Sequence, residues 1–283
     1  MILFKKATDL HNYLDDQRKK HGSIGFVPTM GALHEGHLSL IKKAKEENSV
    51  TVCSIFVNPT QFNDPEDFKK YPVTIEKDIY MLESAACEVL YIPDVNEIYP
   101  EGVEKNKKYN LGILENILEG KYRPGHFQGV CMVVHRLLDM VRPGQLYLGQ
   151  KDYQQCMVIA KLIELMGKKD SIEIRTCPTQ READGLAMSS RNVRLNEEER
   201  KKAGLISKVL TQIKKEIFGG NIEAPKKNGI QLLQNDGFNV DYLEIADAET
   251  LEPLTSWDGE QKLVVLCAAI IGKVRLIDNM LIN

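Results

Sequence analysis

The sequence of 283 residues contains no C-x-x-C motif, no long hydrophobic run and no large excess of charge of either sign. Its six cysteines, at positions 53, 87, 131, 156, 177 and 267, are widely spaced and mostly lie in apolar segments. This pattern predicts reduced core residues rather than disulfides or metal ligands. The longest apolar run, Leu263–Ile271, has nine residues and is too short to span a bilayer as a helix. The apolar stub Ile2–Phe4 is too short for a signal peptide, so we expect a cytosolic protein without membrane contact.

The overall charge and composition indicate a globular protein without a general affinity for polyanions. A net charge of −3 and a pI near 6.1 give no footprint for nucleic acid, so any phosphate binding must be local. With 43% apolar residues the chain can bury one large core or two modest ones. Helix and strand patterns alternate through most of the chain, which favours an α/β fold, and no internal repeat or low-complexity segment is evident.

The segment FVPTMGALHEGHLSL, residues 26–40, organises the rest of the chain. Residues 23–27 are a short apolar run that ends before Pro28, which predicts a buried strand, and the apolar spacing beyond residue 37 predicts an amphipathic helix. A helix that begins just after a strand offers unpaired N–H groups and its positive dipole end to an anion. His34 and His37 lie three apart and share a face of the first turn, where both can contact one polyphosphate.

The same two histidines allow other interpretations. They can be a helix cap and a surface residue, and the residues alone leave that alternative open. A zinc pair is a third possibility, but metalloproteases use H-E-x-x-H with histidines four apart, whereas this string is His34-Glu35-Gly36-His37.

Several strings occur in a fixed order along the chain, namely PTMGALHEGH, NPTQF, RPGHFQGV, GQKDYQQ and MSSR. Together they resemble the pantothenate synthetases (pantoate–β-alanine ligases), a family of the nucleotidylyltransferase superfamily whose H-x-G-H element holds ATP phosphates. The resemblance implies that ATP is bound by Met30, Gly31, Ala32, Leu33, His34, Glu35, Gly36, His37, Gly149, Gln150, Lys151, Asp152, Gln180, Met188, Ser189, Ser190 and Arg191.

The N-P-T-Q-F string follows a β-branched run at residues 50–57, which completes a right-handed βαβ unit with its ligand crevice at the carboxyl ends of the strands. Asn58 and Gln61 place amides at that crevice, where they can bind a ligand or satisfy the backbone of the turn. The resemblance implies that Gln61 hydrogen-bonds pantoate and that Asn58 lines the same pocket, together with Pro28 and Met30.

Arg123 and His126 lie in the R-P-G-H string, and turn chemistry alone can explain that string. The resemblance implies that both residues border the pocket for the acid substrate. Asp78, taken by itself, is expected to be a solvated helix residue. The family, however, places an acidic residue at this position near the Mg²⁺ that accompanies ATP.

The G-Q-K-D string is expected where a strand ends and a helix begins. Gly149 allows close approach of a ligand, Lys151 is a mobile point charge for phosphate, and Asp152 can cap the helix or bind a ribose hydroxyl. A capped helix with a surface lysine and glutamine is the alternative. The resemblance assigns residues 149–152 to ATP and Gln155, one turn onward, to pantoate.

The M-S-S-R string puts the hydroxyls of Ser189 and Ser190 beside the fixed cation of Arg191, which suits a polyphosphate and especially departing pyrophosphate. A serine-rich turn between domains is the alternative. The resemblance implies a loop that acts like the lysine-serine loop of related synthetases, and backbone contacts from Gln180 to adenine.

We therefore predict a Rossmann-like, doubly wound parallel-sheet domain at residues 1–176 that binds ATP and pantoate. A smaller C-terminal α+β domain at residues 177–283 is predicted to cover the nucleotide site, with one helix over residues 196–218, a further helix and two strands. No cluster of catalytic residues is expected there. A homodimer is implied by the resemblance alone.

The implied reaction begins when the carboxylate of pantoate attacks the α-phosphorus of ATP, and ends when β-alanine displaces AMP from the resulting pantoyl adenylate. The residues implied as catalytic are His34, His37, Lys151, Ser189, Ser190 and Arg191, with Mg²⁺ bridging the phosphates. His37 can act as a general acid or by electrostatic stabilisation, and we favour the second because metal-bound pyrophosphate leaves readily. A nucleotidylyltransferase acting on a phosphorylated substrate and a non-catalytic ATP-binding protein are the alternative functions.

Overall fold

The computed structural model describes residues 1–63, 65–102, 108–217 and 220–282. The chain divides into two compact units. The first unit comprises Met1–Gly149 and Gln154–Pro178, and the second comprises Gln150–Tyr153 and Thr179–Asn283. Each unit has its own sheet and its own hydrophobic core, and each is described by itself.

The first unit is built on a six-stranded sheet in which all neighbouring strands are parallel. The strands are β1 (Ile2–Phe4), β2 (Ile24–Thr29), β3 (Val50–Ile55), β4 (Val89–Tyr91), β5 (Gln145–Gly149) and β6 (Glu173–Cys177), in the order β1-β4-β3-β2-β5-β6. From β2 the chain builds first to one side, through β3 and β4, and then to the other, through β5 and β6. In such doubly wound sheets the ligand crevice lies at the carboxyl ends of the strands where the direction reverses, here β2 and β5. The predicted α/β, Rossmann-like fold class is confirmed.

Helices connect these strands. They are α1 (Ala7–His21), α2 (Glu35–Glu47), α3 (Pro65–Lys69), α4 (Ile75–Ser84), α5 (Val95–Ile98), α6 (Leu118–Tyr122), α7 (His126–Val141) and α8 (Tyr153–Leu165). Leu40, Ile41 and Ala44 place the apolar face of α2 in a core shared with β2, β3 and β5, which agrees with the apolar spacing of the sequence.

Strand β2 is longer than the sequence predicts. The predicted strand ends before Pro28, whereas the observed strand continues to Thr29 and stays in register with β3. Pro28 is tolerated there because β2 pairs with β5 only at Gly25 and Phe26, so the ladder on that side has ended before the residue without an N–H.

The second unit packs three helices against an antiparallel sheet. The helices are α9 (Glu197–Ala203), α10 (Leu205–Glu216) and α11 (Glu223–Asn235), and the strands, in the order β7-β8-β9, are β7 (Asn239–Asp247), β8 (Leu263–Ile271) and β9 (Val274–Ile282). Side chains of α10, α11 and all three strands form one buried cluster. The predicted smaller α+β region is thus observed, with a strand, β9, that the sequence analysis missed.

A single helix is predicted over residues 196–218, but the structure has two helices there, α9 and α10, which meet at Gly204. Its predicted start is correct, since the side chains of Asn196 and Glu199 form a reciprocal capping box. At Gly204 a Cβ would lie 2.9 Å from the backbone oxygen of Asp184, so the chain passes too closely for a side chain. Phe218 lies outside the described residues.

None of the helices within the described ranges combines the length and the apolar character that a membrane span requires.

Candidate active site

The turn between β2 and α2 is fixed by side chains at the carboxyl end of the sheet. The hydroxyl of Thr29 donates to the backbone oxygen of Ser54 at 2.7 Å and accepts from the N–H of Gly31 at 3.2 Å. Gly31 has φ +79, and a Cβ there would lie 3.0 Å from Oδ2 of Asp78 and from Cγ2 of Ile55. Both the left-handed conformation and the close neighbours therefore favour glycine at this position.

Asp78, on α4, holds the same turn from the other side. Its Oδ2 accepts from the N–H of Ala32 at 2.9 Å, and its Oδ1 accepts from the N–H of Leu33 at 2.8 Å and from the hydroxyl of Thr74 at 3.1 Å. Ala32 has φ +50, a left-handed conformation that costs a non-glycine residue energy and needs such support. The carboxylate is fully buried. Asp78 is therefore a support of the turn rather than the solvated helix residue that its sequence context indicates.

These contacts also bear on the magnesium ion. Within the described residues there is no group of three or more histidine, cysteine or acidic side chains that could hold a metal. Asp78 is buried and already accepts three hydrogen bonds from the protein, so it does not fit direct coordination of Mg²⁺.

His34 and His37 lie together on the first turn of α2, with ring centroids 4.1 Å apart. Nδ1 of His34 accepts from the N–H of Gly36 at 3.1 Å, and Nδ1 of His37 accepts from the N–H of His34 at 3.3 Å. A ring nitrogen that accepts a hydrogen bond carries no proton, so each neutral imidazole carries its proton on Nε2. Both rings are thereby set as hydrogen-bond donors through Nε2.

The hydrogen bonds of this turn leave few backbone N–H groups for an anion. Five N–H groups of this turn, those of Gly31, Ala32, Leu33, His34 and Gly36, donate to acceptors within the protein. The sequence pattern predicts unpaired N–H groups at this helix start. The structure instead offers imidazole donors at the helix start.

Gln61 lies beside Met30, as expected for segments that leave the ends of neighbouring parallel strands. Its Nε2 is 2.7 Å from Sδ of Met30, and its Oε1 accepts from Nδ2 of Asn58 at 3.2 Å. Pro28 is half-buried in β2, next to the same turn. The structure therefore brings Gln61, Met30 and Asn58 into contact, and all three are predicted for the pantoate pocket.

Asn58 is fully buried and its amide is occupied by the protein. Its Nδ2 also donates to the backbone oxygen of Gly129 at 3.1 Å, and its Oδ1 accepts from the hydroxyls of Tyr99 at 2.9 Å and Thr60 at 3.0 Å. Burial raises the pKa of Tyr99, so this hydroxyl keeps its proton and remains a donor. These contacts fit a residue that orients Gln61.

Arg123 and His126 form one chain of hydrogen bonds with Gln61. Nη1 of Arg123 lies 3.0 Å from Nε2 of His126, and Nδ1 of His126 lies 2.8 Å from the backbone oxygen of Gln61. A guanidinium only donates, so Nε2 accepts and Nδ1–H donates, which fixes the tautomer of a neutral ring. His126 is buried. Oε2 of Glu119 lies 3.5 Å from Nη1 of Arg123 and forms an ion pair with it. Arg123 and His126, predicted to border the pocket, are thus hydrogen-bonded to Gln61, the residue predicted to bind pantoate.

The G-Q-K-D string is divided between the two units. Gly149 ends β5 and Gln155 lies on α8, both in the first unit, whereas residues 150–153 belong to the second. Gln150–Asp152 forms a turn of 3₁₀ helix, with Nζ of Lys151 3.7 Å from Oδ1 of Asp152. The side chain of Asn279 donates to the backbone oxygens of Gln150 and Lys151.

The M-S-S-R string follows a short hairpin of the second unit. The N–H of Met188 donates to the backbone oxygen of Gln180 at 2.9 Å, so these two predicted ATP contacts lie opposite each other. Oγ of Ser189 accepts from the N–H of Arg191 at 3.3 Å and caps the 3₁₀ helix Ser190–Arg194. Arg181 of the hairpin makes a two-point ion pair with Asp278, at 2.6 and 2.9 Å.

The residues that support the site in each unit are not indicated by the motifs of the sequence. In the first they are Thr29, Tyr99 and the true contacts of Asp78, and in the second they are Asp278 and Asn279 on β9. The available signal was the apolar residues on both sides of Asp278 and Asn279, at positions 276–277 and 280–282, which favour a strand with polar residues at its centre.

Comparisons with known proteins match almost the whole chain to one family. The profile of a family described as "Pantoate-beta-alanine ligase" matches residues 2–281. The pantothenate synthetase of Cytophaga hutchinsonii is 47% identical, across 100% of this chain and 99% of that protein, and that of Fervidobacterium nodosum is 44% identical across 100% of both.

Solved structures give the same result. The crystal structure of pantothenate synthetase from Thermus thermophilus superposes with a TM-score of 0.89 at 40% identity, covering 99% of each chain. The pantoate–β-alanine ligase of Francisella tularensis, whose structure is described as complexed with "Beta-gamma ATP and Beta-alanine", has a TM-score of 0.81 at 40% identity, covering 99% of this chain and 97% of that one.

Proposed function

The chain belongs to the pantoate–β-alanine ligase family, and from that premise we propose that it condenses pantoate with β-alanine through a pantoyl-adenylate intermediate. A carboxylate oxygen of pantoate attacks the α-phosphorus of ATP, which forms a mixed acyl–phosphate anhydride and breaks the bond from the α-phosphorus to the bridging oxygen of pyrophosphate. The amine of β-alanine then attacks the acyl carbon, which forms the amide and releases AMP. Neither step requires a protein nucleophile, so the enzyme contributes positioning and charge stabilisation.

Two imidazoles with fixed tautomers carry this proposal. Because Nδ1 of His34 and of His37 accepts a backbone N–H, a neutral ring donates through Nε2, the form suited to a phosphate oxygen. Protonating Nδ1 would set two donors against each other and break that hydrogen bond. This supports electrostatic stabilisation by neutral histidines over proton donation from an imidazolium.

The roles of the other site residues are assigned from the sequence segments that resemble the family. In the first unit, Gln61 and Gln155 hold pantoate, and Arg123 and His126 keep Gln61 in place through the hydrogen bond to its backbone oxygen. In the second unit, Lys151, Ser189, Ser190 and Arg191 contact the phosphates, where charged donors to phosphate oxygens are the stronger kind of hydrogen bond. Gln180 contacts the adenine through its backbone, and Met188, which lies opposite it, is a further contact to ATP.

The setting of the reaction is part of the same proposal. Mg²⁺ bound to ATP would supply charge neutralisation of the phosphates. A homodimer in the cytoplasm is carried over from the family, and sedimentation of the purified protein tests the dimer.

Pyrophosphate release from Mg-ATP tests the proposed function. With pantoate present and β-alanine withheld, we expect a burst of about one equivalent of pyrophosphate per site, because the adenylate stays bound. Adding β-alanine should convert the burst into steady turnover with AMP. Release that does not depend on pantoate, by protein shown to bind ATP, would contradict the ligase assignment.

A further inference from the structure

We propose that Asn279, on the last strand of the second unit, is a positioning residue that holds Lys151 in its working geometry. Its side-chain Nδ2 donates to two successive carbonyls, the backbone oxygens of Gln150 at 2.9 Å and of Lys151 at 2.8 Å. Its Oδ1 accepts from Nε2 of Gln150 at 3.3 Å. The inference rests on the phosphate role proposed for Lys151.

One amide can bridge two successive carbonyls only if the backbone turns tightly between them, and Gln150–Asp152 is such a turn. Asn279 is 2% exposed, so bulk water does not compete for these hydrogen bonds in the folded protein. Fixing the carbonyls of Gln150 and Lys151 fixes the backbone from which the side chain of Lys151 projects. A flexible lysine gains most from such support, because its own stem has four rotatable bonds.

Asn279 is itself held by its neighbour on β9. The N–H of Asn279 donates to Oδ1 of Asp278 at 2.7 Å, and Asp278 is 5% exposed and bound at both oxygens by Arg181. Arg181 also donates to the backbone oxygens of Asn279 at 3.3 Å and of Gly185 at 3.0 Å. Arg181 lies next to Gln180 in the hairpin that leads to the M-S-S-R string.

Two adjacent polar residues of one strand thus fix two segments that carry proposed ATP contacts. Asn279 holds the turn with Lys151, and Asp278 holds the hairpin with Gln180 and Met188. This arrangement explains why buried polar side chains occur at the centre of a strand that is apolar on both sides of them, where they would be costly without such partners.

A double-mutant cycle tests the inference, with pyrophosphate release from Mg-ATP and pantoate as the readout. We expect Asn279→Ala to lower kcat/KM for adenylation at least tenfold in otherwise wild-type protein. In the Lys151→Met background the same change should cost less than twofold, because its effect acts through Lys151. A residue that only stabilises the fold would cost the same factor in both backgrounds.

Two further variants keep the test sharp. Asn279→Asp has nearly the same shape but loses the donor, and is expected to show the same rate defect even if Asn279→Ala folds poorly. Leu276→Val, in the apolar core on the same strand, should lower the melting temperature without changing the rate. Folded Asn279→Ala or Asn279→Asp with wild-type rates, beside an impaired Lys151→Met, would overturn this inference alone. Wild-type rates for Lys151→Met would overturn the proposed role of Lys151, and this inference with it.

Discussion

Replacing Asp78 with asparagine tests whether this carboxylate supports the turn between β2 and α2. Asparagine has one acceptor oxygen and one NH₂ group, so at least one of the N–H groups of Ala32 and Leu33 would face another donor. A hydrogen bond to a charged group contributes about 1.5–3 kcal/mol, and a buried donor without a partner costs about 1–3 kcal/mol. We therefore expect Asp78→Asn to lower the free energy of unfolding by about 2–4 kcal/mol.

The assay is urea unfolding followed by circular dichroism, with EDTA present and no nucleotide. Under these conditions an ion ligand contributes nothing to stability, whereas a support of the turn contributes fully. Glu76→Gln is the matched control, because Glu76 is an exposed acidic residue on the same helix, and it should leave the unfolding free energy within about 0.5 kcal/mol. An unchanged stability for Asp78→Asn, combined with a raised requirement for Mg²⁺ in adenylation, would refute the reasoning and favour an ion contact.

Three other predictions follow from the first unit and from the cysteines. Gly31→Ala should cost about 1–3 kcal/mol and impair adenylation, because φ is +79 and a Cβ would contact Asp78; Gly22→Ala, with φ +91 and open space, should leave the rate unchanged. His126→Ala should raise KM for pantoate about tenfold and leave KM for ATP within about twofold, since about 1.4 kcal/mol of lost positioning is tenfold; equal effects on both KM values would contradict the link to Gln61. Burial raises the pKa of Cys87 and Cys131 to about 12, so these thiols stay protonated and unreactive in the folded protein. At about pH 8 a thiol reagent should therefore modify the half-buried Cys156 first, and the five buried cysteines only after unfolding. Fast labelling of folded Cys156→Ser would contradict this prediction.

Local patterns in the sequence predict the first unit well. Apolar spacing and the residues around Pro28 and Gly31 place β2, the turn and α2 in order, and the β-branched run places β3 beside β2. The expectation that strand-end segments meet at the sheet edge is met by the contact of Met30 with Gln61. These features are predictable because neighbouring parallel strands end at the same edge.

Contacts between distant residues are what the sequence could not supply. Asp78 lies 46 residues beyond Ala32, and Asn279 lies 128 beyond Lys151, so nothing local in either string indicates the partner. Asp278 and Asn279 also interrupt the apolar residues of β9, which concealed the strand and its buried polar pair together. The ring nitrogens of His34 and His37 depend on backbone geometry that spacing alone does not determine.

The central claim is that pantoate is activated as an acyl adenylate, and isotope transfer tests it most directly. Pantoate labelled with ¹⁸O in its carboxylate is converted with Mg-ATP and β-alanine, and the AMP is examined by mass spectrometry. Attack of the carboxylate on the α-phosphorus predicts one ¹⁸O atom in each AMP and none in pyrophosphate. Unlabelled AMP, or label in inorganic phosphate accompanied by ADP, would contradict the account.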